Sequence, residues 1–193
     1  FPRNWGLGTS STLINNIAQW FQIDAFELLH KSFGGSGYDI ACAQNNSPIT
    51  YSIVNGNPKV EQVTFEPEFA KNIYFVYLNQ KRNSKSAIAE YHSNKTSQLP
   101  SYIAMINELT QNIITATTLE VFTQLLNQHE TVLSALLKTE TVKHTLFPDF
   151  EGAIKSLGAW GGDFVLVISK ENPKKYFVAK GYETVIPYQE MIL

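Results

Sequence analysis

Pro2-Arg3-Asn4-Trp5-Gly6-Leu7-Gly8-Thr9-Ser10-Ser11 opens the chain and runs straight into an apolar stretch with helical patterning. Two glycines, then three hydroxyl residues, then a helix make a cradle for an anion. Glycine lets main-chain N–H groups turn toward a phosphate, and a helix N-terminus adds unpaired donors and the positive end of its dipole. The string is not a Walker A loop, because G-x-x-x-x-G-K-[ST] occurs nowhere in the chain. Nor is it a dinucleotide fingerprint, which needs G-x-G-x-x-G after a strand. Alone, such a turn also serves ordinary capping. Two more glycine-rich segments, Ser32 to Ala43 and Gly158 to Asp163, give it company.

Working outward, Thr12 to Phe21 reads as a helix from the spacing of Leu13, Ile17 and Trp20 or Phe21, with Ser10 or Ser11 as its cap. Asp24 to Lys31 reads as a second helix, with Asp24 near its start. Ile49 to Val54 and Val60 to Phe65 read as strands, and Asn55-Gly56-Asn57-Pro58 supplies hairpin turn chemistry. After Pro67 the pattern changes. Ile73 to Leu78 is a short buried strand, followed by helices over Ser84 to Tyr91, Tyr102 to Ala116, Leu119 to Leu137 and Phe150 to Ser156. Phe164 to Ile168, Tyr176 to Ala179 and Thr184 to Pro187 read as strands. The expected boundary falls at residues 66 to 72, with α+β organisation on either side.

The 193 residues suffice for one large or two small domains. A net charge of −2 leaves no basic surplus for nucleic acid and no polybasic segment for an anionic membrane. No apolar run approaches the roughly 20 residues that cross a bilayer. The single cysteine, Cys42, excludes an intrachain disulfide and fits a reducing compartment, so a cytoplasmic location is expected.

Asp39 is the carboxylate that stands out. It follows a glycine turn and is flanked by Ile40, Ala41 and Ala43, so it is either a functional carboxylate or the cap of a helix starting at Ile40. Glu27 is either a metal ligand or a solvent-facing glutamate. His30 and His129 lack metal-ligand spacing, and structural roles are expected for both. Trp160 either lines a pocket or fills space beside glycines. No G-x-S-x-G supports Ser-His-Asp chemistry.

Taken together, the three glycine segments resemble the motifs of the GHMP kinase superfamily (galactokinase, homoserine kinase, mevalonate kinase and phosphomevalonate kinase). Pro2 to Ser11 resembles its P-x-x-x-G-L-G-S-S-A phosphate loop. Ser36-Gly37-Tyr38-Asp39 resembles the S-G-x-D of the mevalonate-kinase-like branch, and Lys155 to Gly162 resembles the third motif. Gln80 to Lys85 and Asn127-Gln128-His129 are similar to further stretches of that branch, and Gly37-Tyr38-Asp39-Ile40-Ala41 is similar to the signature of bacterial GYDIA-type members.

The resemblance implies an α+β fold. It would consist of the C-terminal part of a domain like the second domain of ribosomal protein S5 (residues 1–68), followed by a ferredoxin-like C-terminal domain (residues 69–193). It implies ATP and Mg²⁺ as cofactors and a small hydroxyl metabolite as substrate, with mevalonate or a phosphomevalonate-like acid first. By the same carry-over, Gly6, Leu7, Gly8, Thr9, Ser10 and Ser11 bind the nucleotide and Ser10 with Glu27 ligates the metal. Asp39 is the catalytic carboxylate, while Ser36, Gly37, Gly158, Ala159 and Trp160 touch substrate. In the third motif Leu157 replaces the usual threonine and Trp160 a glycine, which bears on substrate choice. The family carries a further portion ahead of its phosphate loop. The expectation is therefore a fragment, a homo-oligomer, or a partner chain supplying that portion. A diphosphomevalonate decarboxylase-like enzyme and a non-catalytic nucleotide-binding homologue are the alternative expectations.

Overall fold

The computed structural model describes residues 2, 5, 7–80, 91, 97–158 and 162–192. The chain divides into two compact units, residues 6–65 and residues 1–5 with 66–193. Of the expected elements, the helix over 84–91 lies, but for Tyr91, outside the described residues.

The smaller unit holds three helices and a hairpin: α1 (Thr9–Phe21), α2 (Ala25–Ser32), α3 (Tyr38–Ala43), β1 (Ile49–Val54) and β2 (Asn57–Gln62). Helix α1 packs against both α2 and α3. Its apolar row Ile14 and Ala18 meets Ala25, Leu29 and Ile40 in the core. The Asp24 side chain accepts the Glu27 N–H at 2.7 Å, capping α2 as its sequence requires. The cap of α1 differs from expectation. Gly8, in the left-handed region at φ 67, occupies that position with no side-chain bond, and Ser10 and Ser11 sit inside the first turn. The hairpin turns on Asn55 (φ 51) and Gly56 (φ 80), the left-handed pair of a two-residue turn, so β2 starts at Asn57, three residues earlier than expected.

The larger unit is built on β3 (Ile73–Tyr77), α4 (Leu99–Ile114), α5 (Leu119–Leu137), α6 (Val142–Leu146), β4 (Ala153–Ser156), β5 (Phe164–Ile168), α7 (Lys174–Ala179), β6 (Val185–Pro187) and α8 (Tyr188–Met191). Among the described residues four strands pair antiparallel in the order β4-β5-β3-β6, the ferredoxin-like arrangement. Ile73 to Val76 are all buried, the continuous apolar run expected of a central strand covered on both faces. An aromatic group of Phe147, Phe150, Tyr176 and Phe177 fills the core beside the sheet.

Two elements contradict the sequence reading. The stretch 150–156 is not a helix; its last four residues form β4. Gly152, at φ 155, lies so close to β5 that a Cβ there would stand 2.2 Å from the Ile168 carbonyl oxygen, and sheet pairing overrides local propensity. The stretch 176–179 is not a strand but the end of α7. The Asn172 side chain accepts the Lys174 N–H at 2.9 Å, and burying Phe177 completely outweighs the β preference of Tyr-Phe-Val. Among the described residues no helix is long and apolar enough to cross a membrane.

Candidate functional site

In the smaller unit the left-handed Gly8 turns the chain into α1, and its carbonyl accepts the Thr12 N–H at 3.0 Å and the Thr12 hydroxyl at 3.2 Å. The N–H groups of Thr9, Ser10 and Ser11 fall in the first turn, where the helix offers them no acceptor. Thr9 and Ser10 are exposed and Ser11 half-buried, so the donors and hydroxyls needed by an anion stand at the surface. Leu7 and Gly8 are half-buried, and Gly6 lies outside the described residues. Trp5 belongs to the other unit, where its ring packs edge-on against Phe164 at 5.4 Å and lies 6.4 Å from Tyr77.

The second glycine segment is tightly specified. Gly37 caps α3 at φ 84, and a Cβ there would meet the Phe26 ring at 2.7 Å and the Tyr51 hydroxyl at 3.2 Å. Only glycine satisfies both the backbone and the space. Ser36 presents its carbonyl to the Tyr51 hydroxyl and its Oγ to the Tyr38 N–H at 3.4 Å. Asp39 is in the first turn of α3, behind Gly37 rather than at the cap, which removes the capping alternative. Its side chain reaches solvent, yet the protein packed around the carboxyl raises its pKa above the ordinary carboxylate value. The Cys42 thiol, one turn on, is held up by burial and by the Asp39 charge, although its bond to the Tyr38 hydroxyl pulls the other way.

Asn15 escaped the sequence reading. It is 3 % exposed, reaches the Ala43 carbonyl at 3.5 Å, and leaves its Oδ1 without a partner between α1 and α3. An amide on the Ile14–Ala18 side of an amphipathic helix was the available signal.

Glu27 sits on the solvent face of α2 and pairs with Lys31 at 2.5 Å. Ser10 is an exposed hydroxyl on α1, the helix against which α2 packs. Among the described residues no group of three or more His, Cys, Asp or Glu could hold a metal ion. The Ser10 hydroxyl and the Glu27 carboxylate are hard oxygens of the kind that Mg²⁺ prefers.

In the larger unit the described residues of the third glycine segment, Gly158, Gly162 and Asp163, lie between β4 and β5 in the chain. The Leu157 N–H donates to the Phe164 carbonyl at 3.2 Å, the Leu78 N–H to Asp163 at 2.8 Å, and the Gln80 amide to Gly162 at 3.3 Å. Gly158 is exposed and left-handed at φ 63; Ala159 and Trp160 lie outside the described residues. Directly before this segment is a cluster that the sequence reading also missed. Glu130 of α5 is 6 % exposed, accepts the Ser156 hydroxyl at 3.0 Å, and lies 3.3 Å from the Lys155 ammonium. Burial lowers the Lys155 pKa more than Glu130 restores it. His129, also buried, has an unpartnered Nδ1, and burial with the nearby Lys155 charge lowers its pKa to about 4. Glu130 continues the buried i, i+4 row Phe122–Leu126, so a charge on an apolar row was the sequence signal.

A cleft of about 1420 Å³ also lies in this unit, lined by Leu109, Thr123, Asn127, Phe150, Gly152 and Ile168 among others. It sits at the opposite end of β4 and β5 from the glycine segment, and no residue nominated for phosphate, substrate or metal lines it.

No family model and no curated protein matches the chain. Solved structures do. A phosphomevalonate kinase from Streptococcus pneumoniae, in complex with phosphomevalonate and AMPPNP, superposes with a TM-score of 0.65 at 15% identity, over 88% of this chain and 64% of that one. A Lin0012 protein from Listeria innocua gives 0.62 at 17% identity, over 86% and 59%. The L. major mevalonate kinase in complex with R-mevalonate gives 0.57 at 16%, over 81% and 51%. The chain shares the α+β fold of these proteins and spans between about half and two thirds of their length.

Proposed function

We propose that the protein is an ATP-dependent phosphotransferase of the GHMP kinase type, acting on the hydroxyl of a small acid such as mevalonate or phosphomevalonate. The observation that carries this reading is the exposed first turn of α1 after a left-handed Gly8, in a chain with the fold of kinases solved with AMPPNP, phosphomevalonate or R-mevalonate. In this reading residues 1–68 are the remainder of the phosphate-binding domain and 69–193 the C-terminal domain.

Phosphoryl transfer asks the protein for positioning and charge neutralisation rather than covalent chemistry. The N–H groups of Gly8, Thr9 and Ser10 would hold the nucleotide phosphates, with Gly6, Leu7 and Ser11 shaping the loop. The Ser10 hydroxyl and the Glu27 carboxylate would hold Mg²⁺, Glu27 exchanging its bond to Lys31 for the metal. When bound, that ion supplies neutralisation of phosphate charge. Asp39 accepts the substrate hydroxyl proton or orients it. Its raised pKa makes it a better base than a fully solvated aspartate, and its backbone follows directly on the fixed Gly37 turn. Ser36 and Gly37 would contact the acceptor.

The deciding experiment is Asp39→Asn assayed with ATP and either acceptor. Turnover is expected to fall at least about 100-fold, and a value within about threefold of the parent would refute the role given to Asp39.

A further inference from the structure

We propose that Tyr38 and Cys42 form an uncharged wall beside Asp39, against which the carbon skeleton of the acceptor rests next to its reacting hydroxyl. This rests on the reading of Asp39 as the carboxylate that meets that hydroxyl.

Helix α3 has two distinct faces. Ile40 and Ala41 are 0% exposed and belong to the interior of the smaller unit. Tyr38, Asp39 and Cys42 are all exposed. Helical spacing places Cys42 one turn beyond both of the others, three positions after Asp39 and four after Tyr38. The Asp39 charge acts on the thiol and on the phenol alike, so the three groups share one patch of surface. A molecule whose hydroxyl meets the Asp39 carboxylate from solvent therefore lies over the thiol and the ring as well.

The wall is held in place from behind. The Tyr51 hydroxyl is anchored on the Ser36 carbonyl, and its ring meets the Tyr38 ring edge-on, centroids 5.8 Å apart at 75°. The Tyr38 hydroxyl closes the array on the Cys42 sulfur. Tyr38 is thus fixed at its ring and at its hydroxyl, although the residue is 51% exposed. Cysteine is among the most buried residue types, and a surface thiol bonded to a fixed aromatic side chain is accounted for by a ligand that covers both.

Its chemistry names the part of the acceptor it takes. Burial and the Asp39 charge hold the thiol in its neutral form, and the ring offers an apolar face. Such a surface suits a methyl or methylene group beside the reacting hydroxyl, not the carboxylate or phosphate of the acceptor.

Cys42 is the single cysteine of the chain, so thiol chemistry reports on this face alone. Alkylation of the parent by iodoacetamide, read by intact mass, should slow at least about fivefold at saturating mevalonate or phosphomevalonate. In steady-state kinetics Cys42→Leu should raise the acceptor KM at least about tenfold and the KM for ATP less than about twofold, while Cys42→Ser stays within about threefold of the parent in both. Tyr38→Ala should act in the same direction as Cys42→Leu. Unchanged alkylation in the presence of both acceptors overturns the proposal, and so does an acceptor KM in Cys42→Leu that matches the parent's. An equal rise in both KM values, the mark of a displaced α3, overturns it too. A parent that turns over neither acceptor defeats the kinase reading instead, and protection of Cys42 from alkylation then decides the wall by itself.

Discussion

The Tyr51 hydroxyl, on β1, donates a hydrogen bond to the carbonyl oxygen of Ser36, the residue before the left-handed Gly37. One side chain of the hairpin thus fixes the turn that presents Asp39. Tyr51→Phe should lower stability by only about 0.5–1 kcal/mol, since the freed carbonyl can meet water. Gly37→Ala should cost about 2 kcal/mol or more, because the methyl meets the Phe26 ring at 2.7 Å on a left-handed backbone. Urea unfolding of the two variants checks the order.

Asp39 gives a prediction of opposite sign. Its folded pKa is raised, so its contribution to stability is present in acid and is lost as pH rises through that folded value. At neutral pH the ionised carboxyl opposes folding. Asp39→Asn should therefore match or exceed the parent in urea midpoint at pH 7, with the difference gone at pH 3. Coupled to the loss of turnover, that pattern separates the residue's chemistry from any role in holding the fold.

His129 titrates the other way. Its folded pKa of about 4 lies below the unfolded 6.5, so between those values the unfolded chain binds the extra proton. Stability is complete above pH 6.5 and declines as pH falls toward 4, by about 3 kcal/mol in all. Burial first, and then the Lys155 charge, disfavours the imidazolium. His129→Gln should flatten this segment of the stability profile, measured by denaturant midpoints from pH 7 to pH 4.

Glu27 separates metal binding from structure. Its exposed i, i+4 pair with Lys31 is worth about 0.3–0.5 kcal/mol, so Glu27→Gln should barely move the unfolding midpoint. If the carboxylate holds Mg²⁺, the Mg²⁺ concentration for half-maximal turnover should rise about tenfold or more. A Mg²⁺ titration that superposes on the parent's would assign Glu27 to the solvent face alone.

Much of the fold was legible because its signals are local. Asp24 ahead of Glu27, Asn55-Gly56, and the apolar run Ile73 to Val76 each state their structure within a few residues. Phe150 to Ser156 and Tyr176 to Ala179 were misread because partners distant in sequence decide them. Gly152 yields to the Ile168 carbonyl, and Phe177 to an aromatic core assembled from Phe147 and Phe150. The glycine segments were visible from the first residues onward, yet the Tyr51 bond that fixes the Ser36–Gly37 turn was not. Tyr51 and Glu130 meet partners distant in sequence, and a single sequence marks them only as a tyrosine in a strand and a charge on an apolar row.

The order of strands has a consequence for how the protein is made. Strand β3 is complete at Tyr77, but its neighbours begin at Phe164 and Val185, so the central ribbon emerges long before either partner. During synthesis the buried run Ile73 to Val76 must wait unpaired until Phe164 to Ile168 has been made. A nascent chain halted before Phe164 would expose a strand with two open edges and no sheet to enter, and chaperone binding should peak there.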